Sequence, residues 1–275
     1  MYRNLVLLTT LVILASVTSS VAAADDPPRG TSPPAASEPT AAVEAAAQRP
    51  DKPADDQELN RPIGRIFQDI GSDLAHLATP RSLLWIGAGA AGAAAVEPLD
   101  NKVSVKPGQE WARWSEVFDP GTYIGNSLVL MGGSAFTYTF GRITDRPRAA
   151  HVGRDLLRAQ VVSQIVVQSL KASVNRQRPD LSGNNSFPSG HAATTFASAV
   201  VFQRHLGLKW AIPTYLVATY VATSRLHENR HHLSDVVMGA GLGIATGMAT
   251  TRHATKSWAL VPTAVPGGAA VLVMR

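Results

Sequence analysis

Apolar residues recur along much of this chain with a helical period. Ile63, Ile66, Phe67, Ile70, Leu74 and Leu77 fall at i, i+3, i+4, i+7, i+11 and i+14, lining one face of a helix that ends at Pro80. Such a face suits packing on a core better than lying on a membrane. The pattern predicts further helices over about 83–96, 122–140, 151–174, 190–206, 210–224 and 233–251. Breakers fall between them at Pro98, Pro107, Pro120, Pro147, Pro179 and Gly207. Pro213 falls in the first turn of its helix, where a missing N–H is tolerated. The tail from Trp258 to Val273, with Pro262, Pro266 and a Gly-Gly pair, predicts a short hairpin rather than a helix. The fold class is all-α: a helical bundle of about seven helices with a short C-terminal hairpin-like tail, without internal repeat.

The N-terminal part of the chain breaks this pattern. Arg3 precedes an apolar run from Leu5 to Val17, and Ala22-Ala23-Ala24 offers a small-x-small cleavage site, so 1–24 reads as an export signal. An apolar run of this length is short for a retained transmembrane anchor. From Asp25 to Asn60 the chain is rich in Ala, Pro, Ser and acids and poor in large apolar residues. It cannot bury enough surface to offset the entropy of ordering, so 25–60 reads as a disordered tether. The folded domain is then 61–275.

Composition refines the picture in two ways. The 275 residues include no cysteine, which excludes a disulfide framework and thiol chemistry. Setting aside signal and tether leaves 21 basic against 12 acidic residues in 61–275. That surplus suits phosphates or an anionic lipid surface, and ordinary solubility charge equally.

Gly239, Gly243 and Gly247 repeat every four residues, which lets helix backbones approach closely in a membrane or in a soluble bundle. Topology favours an exported soluble or peripheral domain over an integral one. If 83–96, 122–140 and 151–174 each crossed a bilayer behind an exported tether, the loop with Arg142, Arg146 and Arg148 would face outward, against the positive-inside bias. Arg154, Asp155 and Arg158 would lie inside the third span, which is costly in lipid.

The chemistry concentrates in three stretches: Lys171 to Pro179 (KASVNRQRP), Phe187 to His191 (FPSGH) and Ser224 to Asp235 (SRLHENRHHLSD). Lys171 and Arg178 are seven residues apart, a spacing that places both on one helix face ahead of the break at Pro179. Ser189, Gly190 and His191 open the next helix, where unpaired N–H groups and the dipole form an anion site. Gly190 lets the backbone approach a ligand, and the Ser189 hydroxyl can donate. His231 and Asp235 are spaced i, i+4, so the carboxylate can accept from one ring nitrogen and leave the other free to attack phosphorus. Arg225 adds a planar fork for the same oxyanion.

Read as K-x6-R-P, P-S-G-H and S-R-x5-H-x3-D, in this order, the three stretches resemble the signature of the type 2 phosphatidic acid phosphatase superfamily, over about 150–255. That superfamily includes class A bacterial acid phosphatases, lipid and isoprenoid phosphate phosphatases, and vanadium haloperoxidases. The resemblance implies a phosphoric ester hydrolase of the envelope, acting without metal or other cofactor through a phosphohistidine. It implies that His231 is the nucleophile, oriented by Asp235. His191 is the general acid that protonates the leaving oxygen and then activates water. Lys171, Arg178, Ser189, Gly190 and Arg225 bind the phosphoryl oxygens. The expected partner is a phosphate ester, either soluble or a lipid or isoprenoid phosphate at a membrane surface, and not nucleic acid. Trp85, Trp111, Trp114, Phe118 and Tyr123 could seat a lipid tail.

Three other readings compete. His227, His231 and His232 form an H-x3-H-H cluster that could hold zinc, although Arg225 and Arg230 would repel a cation. A vanadate-dependent haloperoxidase would use the same oxyanion cradle for a cofactor, on a larger scaffold. A non-catalytic phospholipid-binding envelope protein would keep the cations but need not keep both histidines and the aspartate.

Overall fold

The computed structural model describes residues 62–103 and 114–253, and the backbone of 259–265 and 268–274. The expected signal and tether lie outside the described residues, as do Pro107 and Trp111. The described helices, in order, are α1 (Arg65–His76), α2 (Pro80–Val96), α3 (Asp100–Val103), α4 (Ser115–Ile124), α5 (Ser127–Ile143), α6 (Pro147–Val174), α7 (Gly190–Leu206), α8 (Leu208–His227) and α9 (Leu233–Thr250). Strands β1 (Ala259–Val265) and β2 (Gly268–Met274) pair antiparallel, Ala259 opposite Met274, giving the hairpin the tail predicts.

Local signals place most boundaries. Pro80 and Pro147 stand in the first turns of α2 and α6. The Asn126 side chain caps α5 by accepting from the amides of Leu128 and Val129. Asn175 ends α6 in the left-handed conformation (φ 49°), which asparagine adopts more readily than most residues. Two prolines differ from expectation. Pro120 lies inside α4, a helix largely exposed to water, where the carbonyl it leaves unpaired can be hydrated. Pro213 lies in the second turn of α8, because that helix starts two residues early, at Leu208.

The core is built where α6, α7, α8 and α9 meet. Val152, Leu156 and Ala159 of α6 pack on Ala197 and Val201 of α7. Ala192 and Phe196 pack on Ala218 and Ala222 of α8 and Val236 of α9. The α9 glycines set how close α7 can come. A Cβ at Gly239 would lie 2.5 Å from the Ser189 carbonyl oxygen, and one at Gly247 would lie 2.6 Å from the Val200 Cβ. Gly243 would press its Cβ into the Ala193 carbonyl. Gly243→Ala is therefore expected to destabilise the fold by about 1–3 kcal/mol, read as a lower Tm in a thermal scan. Gly87→Ala, with nothing within 4 Å, should leave Tm unchanged or raise it.

The apolar stripe of α1 is only partly buried. Ile66 packs with Tyr138 and Ala150, whereas Phe67 is 78% exposed. The rest of the inward face is ionic: Asp69 pairs with Arg154, and Asp73 takes Arg158 at 2.6 and 2.8 Å. Arg158 also bonds Asp155 at 2.9 Å. The charges of α6 are thus met inside the protein, which removes the cost that argued against placing this helix in lipid. Large apolar side chains remain exposed on α5 (Leu128, Val129, Phe136, Ile143) and α8 (Trp210, Ile212, Leu216). Among the described residues, two segments, Pro80–Val103 and Leu233–Thr250, are long and apolar enough to cross a membrane, the second mostly buried within the bundle.

Candidate functional site

The site forms where α6 ends and α7 and α9 begin. Lys171 stands in the last turn of α6. Arg178 does not share its helix face as the spacing predicts. The helix stops at Val174, and Arg178 sits in the loop that follows. The loop still brings the two together, and the charge of Arg178 bears on Lys171. Its shape comes from its own bonds: the Arg178 amide donates to the Gly183 carbonyl (2.8 Å) and the Ser186 amide to the Arg176 carbonyl (2.9 Å). Arg230 reaches back to Asp180 at 3.1 Å, tying this loop to the turn between α8 and α9.

Ser189 is the N-cap of α7, fully buried, and its hydroxyl oxygen accepts from the Ala192 amide at 3.4 Å. Its own amide is taken by the Asp235 carbonyl at 2.9 Å, which leaves the hydroxyl proton as its donor to a ligand. A Cβ at Gly190 would meet only ordinary contacts, Val167 at 3.5 Å and Gln164 at 3.8 Å. Internal packing therefore does not demand glycine there, in keeping with a role toward a ligand. His191 follows, its Nε2 at 3.2 Å from the Thr122 carbonyl.

His231 lies just before α9 and Asp235 within it, as the expected helix start at 233 implies. The turn Glu228–His232 separates α8 from α9, and Asp235 is in the first turn of α9, accepting from the His232 amide at 2.8 Å. Asp235 is thus a helix-capping acid as well as a neighbour of His231. The His231 Nδ1 donates to the Ser186 carbonyl at 2.6 Å, while the Asp235 carboxylate stands 3.7 Å away. That distance is beyond a hydrogen bond, because the carboxylate is occupied by the Ser186 hydroxyl (2.5 Å), Arg176 (2.7 Å) and the His232 amide. The chemical consequence stands: Nδ1 carries the proton and Nε2 keeps its lone pair.

Arg225, buried, bonds the Thr122 hydroxyl (3.1 Å) and is paired with Glu228. The buried Nε atoms of Arg178 and Arg225 have no hydrogen-bond partner, an arrangement that an oxyanion would complete. Charges here act on one another. Burial, then Arg225, His231 and Lys171, lower the His191 pKa to about 4, against a weaker pull upward from the Thr122 carbonyl. Burial and Arg178 lower Lys171 to about 8. Burial also lowers His231, so both imidazoles are neutral at pH 7 before any ligand binds.

The sequence missed several contributors. Arg176 joins Asp235 to Asp100 at 2.7 Å each, and Asp100 in turn accepts from the Ser234 amide at 2.9 Å. Arg176 was visible within KASVNRQRP without a signal to separate it from surface charge, and Asp100 lies far from every motif. Thr122 touches both His191 and Arg225 from α4. The histidines of H-x3-H-H do not converge: His227 stacks on Phe118 (4.8 Å) and His232 reaches the Gln177 carbonyl (3.3 Å). Of the aromatics named for a lipid tail, Trp114 and Tyr123 are exposed, and Phe118 is held by His227 and Tyr220. Among the described residues, two shallow clefts flank the site. One of about 390 Å³ is bounded by Asp119, Thr122, Asp180 and Glu228, and one of about 460 Å³ by Gln168, Lys171, Ser182 and Asn185.

Comparison with known proteins gives the following. Residues 152–259 match the PAP2 superfamily. The chain is 42% identical over 85 residues to the lipid A 1-phosphatase of Porphyromonas gingivalis, covering 30% of this chain and 19% of that one. It is 36% identical over 95 residues to the decaprenylphosphoryl-5-phosphoribose phosphatase of Mycobacterium tuberculosis, covering 31% and 52%. These matches thus span from a fifth to about half of the relatives' length. The crystal structure of Aquifex aeolicus LpxE aligns with a TM-score of 0.45 at 23% identity, over 57% of this chain and 93% of that chain.

Proposed function

The chain belongs to the PAP2 superfamily through residues 152–259, and from that premise we propose that it is a metal-independent phosphatase acting on a lipid or isoprenoid phosphate monoester. The observation that carries this reading is His231, its Nδ1 proton bound to the Ser186 carbonyl, set among Lys171, Arg178 and Arg225. In the first step the His231 Nε2 lone pair attacks phosphorus and the bond to the leaving oxygen breaks. His191 protonates that oxygen. In the second step neutral His191 takes a proton from water, whose oxygen attacks the phosphohistidine and releases phosphate. Lys171, Arg178, Arg225 and the Ser189 hydroxyl supply the charge and hydrogen bonds that build up around the phosphoryl oxygens.

The low pKa of His191 fits this cycle. The cations that hold phosphate also keep the imidazole neutral while the site is open. A phosphate dianion reverses the local field, so His191 gains its proton as substrate binds.

A lipid substrate is favoured by the relatives, named as phosphatases of lipid A and of decaprenylphosphoryl-5-phosphoribose, and by the exposed apolar side chains of α5 and α8. We place the domain at the surface of, or within, an envelope membrane, with 1–24 as its export signal. The test is phosphate release by purified 25–275 from soluble esters and from detergent-solubilised lipid phosphates, with and without excess chelator. Initial rates that are chelator-insensitive and highest on the lipid phosphates are expected. Chelator-sensitive rates would overturn the metal-independent mechanism, and a preference for soluble esters would overturn the lipid assignment.

Lys171 gives a pH prediction. With a pKa of about 8 it is charged below that pH and neutral above. The ester is already a dianion there, its second pKa being about 6, so kcat/KM should fall as pH rises through 8. Lys171→Arg should carry the plateau upward, because a guanidinium stays protonated throughout. An unchanged basic limb would detach Lys171 from binding.

A further inference from the structure

At the far end of the bundle three ligand atoms converge on one point. His151 and Asp155 are i, i+4 on the first turns of α6, and His253 follows the end of α9. The Nε2 atoms of His151 and His253 are 3.0 Å apart, and the Asp155 Oδ2 is 3.1 Å from His253 and 3.9 Å from His151. We propose that this cluster is a binding site for a first-row divalent cation, zinc above all, that pins the C-terminal end of α9 to α6. Bonds of about 2.0–2.1 Å in tetrahedral array put neighbouring ligand atoms about 3.3 Å apart, the middle of the observed spread.

Hydrogen bonding alone serves these atoms poorly. An imidazole Nε2 carries one proton or one lone pair, yet that of His253 faces both the His151 Nε2 and a carboxylate oxygen. A cation satisfies all three at once. The surroundings prepare the donors. The Asp155 carboxylate is fully buried and held in place by its neighbours. Arg158 occupies Oδ1 at 2.9 Å, which leaves Oδ2 for the cation. The His205 Nε2, 2.8 Å from that same Oδ2, donates from outside as an orienting group.

Charge balance permits neutral imidazoles. Asp73 and Asp155 meet Arg158 and Arg252 in one connected network, Asp69 pairs with Arg154 beside it, and Arg148 is held by the His205 carbonyl. No further proton on the histidines is needed to neutralise the acids. The site is separate from the catalytic one: His151 and Lys171 are twenty residues apart on α6, about 30 Å along the helix axis. Its role is structural, and its fourth ligand is solvent at the exposed edge of His253.

The test uses the chain expressed without a histidine tag and stripped of metal. Zinc should bind at one equivalent per chain and survive gel filtration, cobalt should give the visible absorption of a tetrahedral site, and zinc should raise Tm. His253→Ala, at a side chain one-third exposed, should abolish this binding, as should His151→Ala. His205→Gln should weaken it by about 10–100-fold, and His231→Ala should bind zinc unchanged. Stoichiometry well below one equivalent in zinc excess would overturn the proposal. So would equal binding by the wild type and His253→Ala, a variant placed where loss of folding is not expected to confuse the result.

Discussion

Replacing His231 by alanine should lower kcat by at least about 10³-fold on every substrate, without a compensating fall in KM. His231 is buried, and with Nδ1 bound to the Ser186 carbonyl its Nε2 is the atom we propose for the attack. Lys171, Arg178 and Arg225 bind well but do not attack, the Ser189 hydroxyl has no base placed to activate it, and His191 is assigned to the leaving oxygen. What survives in the variant is the contribution of the cradle, which still holds and polarises the ester. The same protein offers a direct readout. A phosphoryl label quenched at alkaline pH, where phosphoramidates persist, should be found on the wild type and be missing from His231→Ala. Turnover within about tenfold of wild type would remove His231 from the role of nucleophile.

Replacing His191 by alanine should separate substrates by the basicity of their leaving group. Alkyl phosphates, whose alkoxide needs a proton as it departs, should lose about 10²–10⁴-fold. Activated phenyl phosphates, which leave as stable anions, should lose far less in the first step. Under the proposed mechanism their residual loss would belong to the hydrolysis of the phosphohistidine, the step for which His191 is proposed as base, and a burst of phenol before steady turnover would expose that step. Equal losses on both classes would argue that the imidazole serves binding or packing only, through the Thr122 carbonyl it touches at 3.2 Å.

Much of this arrangement was legible in the sequence, and the exceptions have physical causes. Apolar periodicity located the helices from 151 to 251, within one residue for α7 and α9 and within four at the ends of α6 and α8, because those segments form the core and their spacing is set by it. It read α1 less well, since half of that helix's inward face is Asp69 and Asp73, buried only because Arg154 and Arg158 meet them. Spacing named the candidate residues that the fold brings together, and misjudged the geometry of one pair. K-x6-R reads as one helix face, yet Asn175 ends the helix before Arg178. Residues that act through others carried no pattern at all. Asp100 and Thr122 reach the site only because the fold returns α3 and α4 to it, over 134 and 69 residues of separation from their partners.

The bond from His231 to the Ser186 carbonyl reaches beyond catalysis. The acceptor is main chain, so no single substitution at 186 deletes it, and the imidazole's tautomer is inherited with the loop rather than with any side chain. Asp235, in a site built this way, is answerable for the loop: its carboxylate grips the Ser186 hydroxyl, Arg176 and the His232 amide, and its carbonyl grips Ser189. A lineage that drifted at 235 would therefore first lose the register between two catalytic turns, with the proton on His231 still in its place. Divergence in such a scaffold has a graded path, in which precision declines before chemistry disappears.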